Sequence, residues 1–226
     1  MKCLCPEVPV GGPESSAAAN SKRIRLLIVD DHPVVRDGLA AMLSYQPDME
    51  VVAQADTGLA AIDGFERQAP DITLMDLSLP GMSGVEAMLA IRRRNPKARI
   101  IVLTTFSGDI HAIKALKAGA AGYLLKDASR ADLLDTIRKV HVGDRCVPAT
   151  VAAAIAEHAG DEPLTNREVE VLRHVAAGNS NKVVAHRLCV SEDTVKAHMR
   201  SILFKLCASD RTHAVTIATQ RGFFTQ

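Results

Sequence analysis

The sequence predicts two domains of different class, a five-stranded parallel α/β sheet wound with helices on both faces and then an all-α unit of four helices. Three observations predict it. Between residues 24 and 141, short apolar runs alternate with amphipathic stretches in five strand-helix repeats, and connections that short imply a parallel sheet covered on both faces. From Leu164 onward strand signals vanish and helix signals follow one another closely. At 226 residues the chain gives each portion enough length to bury its own core.

Residues 1–21 hold three prolines, a Gly-Gly pair and a Ser/Ala/Asn run without apolar periodicity, the composition of a disordered tail. The α/β domain is expected over 22–141, with strands at 24–29, 50–55, 72–75, 100–104 and 122–125. Its helices are expected at 34–45, 58–68, 85–94, 109–118 and 130–141, and Ser129 with Asp132 three residues on caps the last. Residues 142–162 carry Gly143, Pro148 and Gly160 around an alanine-rich stretch and read as a linker with a short helix at 151–158. The all-α domain, 163–226, has helices at 166–176, 181–188, 192–206 and 212–221. Thr165 with Glu168 forms a capping box at its start, Gly178 stops the first helix, and Ser191 caps the third. The short turn at Cys189 and Val190 makes the second and third a helix-turn-helix signature.

The formal net charge is only +1, so no global field announces nucleic acid. Its distribution says more: residues 22–140 carry 16 basic against 15 acidic side chains, whereas residues 163–226 carry nine against five. No apolar run approaches a membrane span, and the first residues, Met1 to Cys5, lack a secretory h-region. Five cysteines, Cys3, Cys5, Cys146, Cys189 and Cys207, are odd in number and form no CxxC pair, which suits reduced thiols in a cytoplasmic protein. Aromatic residues make up 3%, too few for single-strand stacking platforms.

The chemistry gathers at the strand ends. The apolar run 72–75 ends in Asp76 and breaks into a loop with Pro80, Gly81 and Gly84. In such a sheet ligands sit beyond the carboxyl ends of the strands where strand order reverses, which in the order 2-1-3-4-5 lies between the first and third. Asp30 and Asp31 end the first strand, Asp76 the third and Thr104 the fourth, and Lys126 follows the fifth. Three carboxylates so close repel one another unless a hard divalent cation, Mg²⁺ in this reading, takes their oxygens. Metal-assisted phosphoryl transfer fits, with Asp76 attacking phosphorus while Thr104 and Lys126 receive the phosphoryl oxygens. His32 beside the acid pair lines the pocket.

Asp30-Asp31, the run Asp-Leu-Ser-Leu-Pro-Gly-Met-Ser-Gly from Asp76, Leu103-Thr104-Thr105 and Gly122-Tyr123-Leu124-Leu125-Lys126 together resemble a response-regulator receiver, a flavodoxin-like fold. The resemblance implies that Asp76 is the phosphoacceptor. It also implies that Asp31, Asp76 and the main-chain carbonyl of Ser78 hold Mg²⁺, with Asp30 acting through water, and that Thr104 moves toward the phosphoryl group and lets Tyr123 turn inward. Asp127 stands where many receivers have proline, and Thr105 where a smaller residue is usual.

In the predicted recognition helix Val195, Met199, Ile202 and Leu206 form one stripe at helical spacing and belong to the core, while Lys196 and Arg200 lie toward the other side with Ala197 between them. Phosphate contacts need Lys or Arg, and small side chains let a helix sit deep in the major groove. The segments Leu164 to Leu172, Gly178 to Lys182, Ser191 to His198, Lys205-Leu206 and Arg211-Thr212 closely resemble the LuxR-type DNA-binding domain. By that resemblance Lys196, Ala197 and Arg200 read bases or adjacent phosphates, Lys182 and Thr194 contact the backbone, and the last helix dimerises. Val183 and Phe204 replace the usual Glu and a common basic residue.

Joined, the two domains are similar to the NarL/FixJ group of two-component transcriptional regulators. The implied partners are a sensor histidine kinase, paired half-sites on double-stranded DNA, a second copy of the chain once phosphorylated, and RNA polymerase. The implied chemistry is self-phosphorylation and slow self-dephosphorylation rather than enzymatic turnover. Two alternatives are a constitutive DNA binder with a phosphorylation-insensitive receiver and a docking module with a vestigial helical domain. A haloacid-dehalogenase-like phosphatase would need a second Asp where Ser78 stands.

Overall fold

The computed structural model describes residues 23–105 and 108–224, so the tail expected over 1–21, with Cys3 and Cys5, lies outside the described residues. The α/β portion runs β1 (Ile24–Val29), α1 (Pro33–Ser44), β2 (Met49–Ala55), α2 (Gly58–Gln68), β3 (Ile72–Met75), α3 (Gly84–Arg94), β4 (Arg99–Thr104), α4 (Asp109–Lys117), β5 (Gly122–Leu125) and α5 (Arg130–Val142). The element bounds fall within two residues of the sequence-based expectation. Pro33 explains the earlier start of α1, because its fixed φ and missing N–H suit a first helical turn.

The sheet is parallel in the order β2-β1-β3-β4-β5. Its registers pair Val29 with Ala55 and Met75, Met75 with Val102, and Thr104 with Leu125. The strands therefore finish nearly level, and whatever follows them converges on one edge. Apolar residues are buried on both faces: Leu27, Val29, Met75 and Val102 meet α2, α3 and α4, while Leu26, Ile28, Leu74 and Ile101 meet α1 and α5. Such two-sided burial produces the near-continuous apolar strands read in the sequence.

The interdomain segment is tied down at its start. The Tyr123 N–H donates to the Cys146 carbonyl at 2.9 Å, and the Cys146 N–H to the Ala121 carbonyl at 3.0 Å, so this segment covers part of the outer edge of β5. A helix, α6 (Ala149–Glu157), follows, and its Val151 is buried in the same core as Tyr123.

The C-terminal portion is α7 (Asn166–Ala176), α8 (Asn181–Leu188), α9 (Glu192–Lys205) and α10 (Arg211–Arg221) around Val171, Leu172, Val184, Val195, Met199, Ile202 and Ala218. Two turns here use cysteine where glycine is the natural choice: Cys189 after α8 has φ 52° and Cys207 after α9 has φ 49°. A Cβ in the left-handed region costs about 1–2 kcal/mol, more than glycine's added unfolded-state entropy of about 0.5–1 kcal/mol. Both side chains are exposed, so little packing is at stake. Cys207→Gly and Cys189→Gly are each expected to stabilise the chain by about 0.5–1 kcal/mol, read as a higher urea midpoint at unchanged slope.

Candidate functional site

The edge where the strands finish holds Asp30, Asp31, His32 and Asp76, whose ligand atoms lie within 4.8 Å of one another. Asp76 follows β3 directly, and its main-chain N–H donates to the Val29 carbonyl at 2.9 Å, which ties the end of β3 to β1. The Lys126 ammonium, delivered by the end of β5, lies 2.8 Å from Asp76 Oδ2 and 2.7 Å from Asp30 Oδ2. Asp30 and Asp76 are buried, Asp31 is half-buried and His32 is exposed. Asp30 also accepts from the His32 N–H at 2.9 Å, and Arg36 donates to the Asp30 main-chain carbonyl at 2.8 Å, so its carboxylate is firmly placed.

Burial pushes the Asp76 carboxyl upward, the Lys126 ammonium pulls it back, and the neighbouring Asp30 pushes up again, leaving it above the ordinary value. Burial alone would lower Lys126, but hydrogen bonds to Asp30 and Asp76 outweigh that and hold the ammonium charged. One ammonium between two carboxylates at such distances keeps its proton, and the direction for Lys126 governs the pair. Three carboxylates against this single ammonium leave an excess of two negative charges, which a divalent cation matches. Asp31 Oδ1 is buried and accepts no hydrogen bond: the His32 ring nitrogen stands 2.7 Å away but outside hydrogen-bond geometry. The hard carboxylate oxygens of Asp30, Asp31 and Asp76, one of them on Asp31 buried without a hydrogen bond, fit Mg²⁺, with the His32 ring nitrogen beside them.

The loop beyond Asp76 is shaped by backbone contact. The Gly84 N–H donates to the Leu77 carbonyl at 3.0 Å, and a Cβ built on Gly84 would overlap the Asp76 carbonyl oxygen. Ser83 and Glu86 form a capping box that starts α3 at this point. Gly84→Ala is expected to cost at least about 2 kcal/mol of stability and to displace Asp76, checked by denaturant unfolding together with the rate of phosphoryl incorporation.

Thr104 is fully buried at the end of β4, and its carbonyl accepts from the Lys126 N–H at 2.8 Å, so β4 and β5 deliver the hydroxyl and the ammonium as one unit. Tyr123 is also fully buried, and its hydroxyl is pushed upward by that burial. The expected inward turn of Tyr123 thus starts from a ring already buried, in the core that also takes Val151 of α6. Sequence reasoning missed this shared core, since nothing local to Tyr123 announces it.

The second surface is the helix-turn-helix. Lys182, Lys196, Ala197 and Arg200 are exposed and Thr194 is half-buried, while Val195, Met199, Ile202 and Leu206 are buried as their spacing predicts. Lys196 is held within its own helix by Asp193 at 3.0 Å and Glu192 at 3.9 Å, which raises its pKa. Beneath this helix lies a buried polar network that the capping box only half announced. Glu168 accepts from Thr165 N at 2.7 Å and also takes Ser201 Oγ at 2.6 Å and Lys205 Nζ at 3.1 Å, tying α7 to α9. Burial would raise its carboxyl, but these hydrogen bonds bring it down to about 2.

Residues 26–138 match the response regulator receiver domain, and residues 162–218 match the bacterial regulatory proteins of the luxR family. The chain is 34% identical over 215 residues to the nitrate/nitrite response regulator protein NarL of Escherichia coli (strain K12), covering 91% of this chain and 100% of that protein. It is a response regulator of the NarL/FixJ type. This regulator is also 40% identical over 206 residues to the uncharacterized transcriptional regulatory protein YhcZ of Bacillus subtilis, covering 87% and 96% of the two chains. Among solved structures it is similar to an RcsB-DNA complex, with a TM-score of 0.65 and 25% identity over 88% of this chain and 99% of that one. It is likewise similar to ChrA from a heme-sensing two-component system, with a TM-score of 0.54 and 34% identity over 89% and 99%. A receiver joined to a LuxR-type DNA-binding domain makes this response regulator a transcriptional regulator and not a member of a catalytic enzyme family. Among the described residues, no helix is long and apolar enough to cross a membrane.

Proposed function

We propose that Asp76 accepts a phosphoryl group from a sensor histidine kinase and that this event controls DNA binding by α9. The observation that carries the reading is the buried Asp76 carboxylate, placed at a sheet edge beside two further acids and 2.8 Å from the Lys126 ammonium. Asp31, Asp76 and the Ser78 carbonyl would hold Mg²⁺, with Asp30 behind them; when bound, the cation supplies charge neutralisation and orientation of phosphate oxygens. A carboxylate oxygen of Asp76 forms the new P–O bond while the P–N bond to the donor imidazole breaks, and the electron pair leaves on that nitrogen. Lys126, freed from one of its carboxylates, and the Thr104 hydroxyl then receive the phosphoryl oxygens. Water hydrolyses the acyl phosphate slowly, so the chain acts as a timed switch without turnover.

On the DNA side, Lys196, Ala197 and Arg200 meet bases or adjacent phosphates in the major groove, and Lys182 and Thr194 meet the backbone. Lys196 exchanges its pairing with Asp193 for phosphate or base contact. The last helix pairs two copies over two half-sites. RcsB is described as dimers bound to DNA, which supports this assembly. RNA polymerase is the further partner of such a regulator, and the cytoplasm is its compartment.

The test is duplex-DNA binding by the full chain at several salt concentrations, with and without a small-molecule phosphodonor and Mg²⁺. The expected result is salt-dependent binding that tightens on phosphorylation. Equal affinity in both states would instead assign a constitutive binder, and no binding in either state would assign the docking module.

A further inference from the structure

The open surface of α9 is a single stripe. Its exposed residues are Glu192, Asp193, Lys196, Ala197, Arg200 and Phe204, and the rest of the helix is buried or half-buried. At about 100° of turn per residue, Phe204 falls about 40° from Arg200 and about 20° from Ala197, inside the arc that runs from Lys196 to Ala197. It lies about 6 Å further along the helix axis than Arg200. Val195, Met199 and Ile202 turn to the opposite side and are buried. A surface that brings Lys196, Ala197 and Arg200 against DNA therefore brings Phe204 with them.

The Phe204 ring is 80% exposed. Single exposed apolar side chains are ordinary on a protein surface; this one is set apart by its place at the end of a stripe that otherwise presents two cations and an alanine. Lys205, the basic residue of the last turn of α9, is turned inward: its side chain is 8% exposed, and its ammonium lies 3.1 Å from Glu168 and 3.0 Å from Glu162. The last turn of a helix also carries the negative end of the helix dipole, which disfavours a phosphate. This end of α9 thus meets DNA with an apolar ring in place of a charge. The major groove presents an apolar group of its own, the 5-methyl of thymine.

We propose that Phe204 is a specificity-determining residue whose ring packs on the 5-methyl group of a thymine in the major groove, at the end of the half-site that Lys196, Ala197 and Arg200 enter. The contact rests on the reading of α9 as the helix that meets DNA bases. A cation at this position binds the backbone of any sequence, whereas the ring favours one base.

The test uses the full-length wild type, Phe204→Ala and Phe204→Lys, with duplexes that the wild type enriches from a random pool in the presence of phosphodonor and Mg²⁺. Thymines of the enriched sequence are replaced one at a time by deoxyuridine, which removes the methyl group and keeps the base pair, and affinity is measured at several salt concentrations. For the wild type, replacing the thymine under Phe204 is expected to weaken binding about fourfold, the worth of one buried methyl. Phe204→Ala is expected to bind the thymine and deoxyuridine duplexes equally at that position. Phe204→Lys is expected to ignore the same methyl and to steepen the salt dependence by about one unit of log–log slope for each subunit bound. A wild type indifferent to every methyl, or a methyl dependence that survives unchanged in Phe204→Ala, overturns the thymine contact and leaves α9 as the DNA-reading helix. Because the ring is exposed, both variants are expected to unfold at the wild-type midpoint; a lowered midpoint in both shows that the ring serves the fold and overturns the contact. A pool from which the wild type enriches nothing overturns the reading of α9 itself, and the contact with it.

Discussion

Asp76→Asn is expected to take up no phosphoryl group from a small-molecule phosphodonor and Mg²⁺ under conditions that load the wild type, as read by intact mass. Asparagine keeps the shape of the side chain and an oxygen that can accept from Lys126, so the pocket stays built. What it loses is the anion that attacks phosphorus in the proposed reaction and one of the charges that recommend the site to a divalent cation. The same substitution is expected to leave the chain at least as stable as the wild type. Asp76 and Asp30 share a single ammonium, at 2.8 and 2.7 Å, and repulsion between them is part of what raises the Asp76 carboxyl. Thermal unfolding without Mg²⁺ measures this, and the midpoint should stay level or rise. Phosphoryl uptake persisting at the wild-type level in Asp76→Asn would place the acceptor elsewhere. A large loss of stability would mean that the carboxylate is a structural anchor rather than a reactive group.

Glu168→Gln is the substitution expected to damage the helical domain most. Glu168 is 4% exposed and receives Thr165, Ser201 and Lys205 on two oxygens. An amide in its place turns one acceptor into a donor facing other donors, and it removes the charge that Lys205 answers. The carboxyl is held at about 2 in the folded chain against an ordinary 4.5, a difference that corresponds to at most about 3 kcal/mol. Because the folded value is the lower one, this stability is fully present above the unfolded value and is lost as pH falls from about 4.5 through about 2. Urea unfolding of the full chain at pH 7 should therefore show the loss in Glu168→Gln. Between pH 5 and pH 3 the wild type should weaken more steeply than the variant. Parallel pH profiles would show that the Glu168 charge contributes nothing and that the network is only a cap on α7.

Much of the receiver site is legible in the sequence because a parallel sheet converts strand order into position. Once five strand-helix repeats are recognised, Asp30, Asp31, Asp76, Thr104 and Lys126 must lie at the carboxyl edge, and the registers put them there. The capping box at Thr165 and Glu168 is equally legible, since its two members sit three residues apart on one helical turn. The buried stripe of α9 follows from helical periodicity alone. The closure of Gly84 over the Asp76 carbonyl is not legible in this way, because a glycine in a loop signals a turn as readily as a close approach.

The contacts that escaped are those between residues far apart in the chain. Asp109 and Arg221 are 112 positions apart and read singly as an acid in a first helical turn and a base in a last one, each well suited to its own helix dipole. Ser201 and Lys205 lie 33 and 37 positions beyond Glu168 and look like ordinary surface residues of α9. Cys146 reads as part of a linker, yet its backbone pairs with the edge of β5. By itself the sequence determined the two fold classes, the order of the elements, the caps and the acids at the sheet edge. Periodicity, turn chemistry and strand-end position are all local properties. Only the tertiary structure decided that Tyr123 shares a buried core with Val151 of α6, that Glu168 binds α9 and that α4 meets α10. Those pairings depend on how whole elements dock, and the free energy that selects them comes from surfaces buried between segments with no pattern in common along the chain.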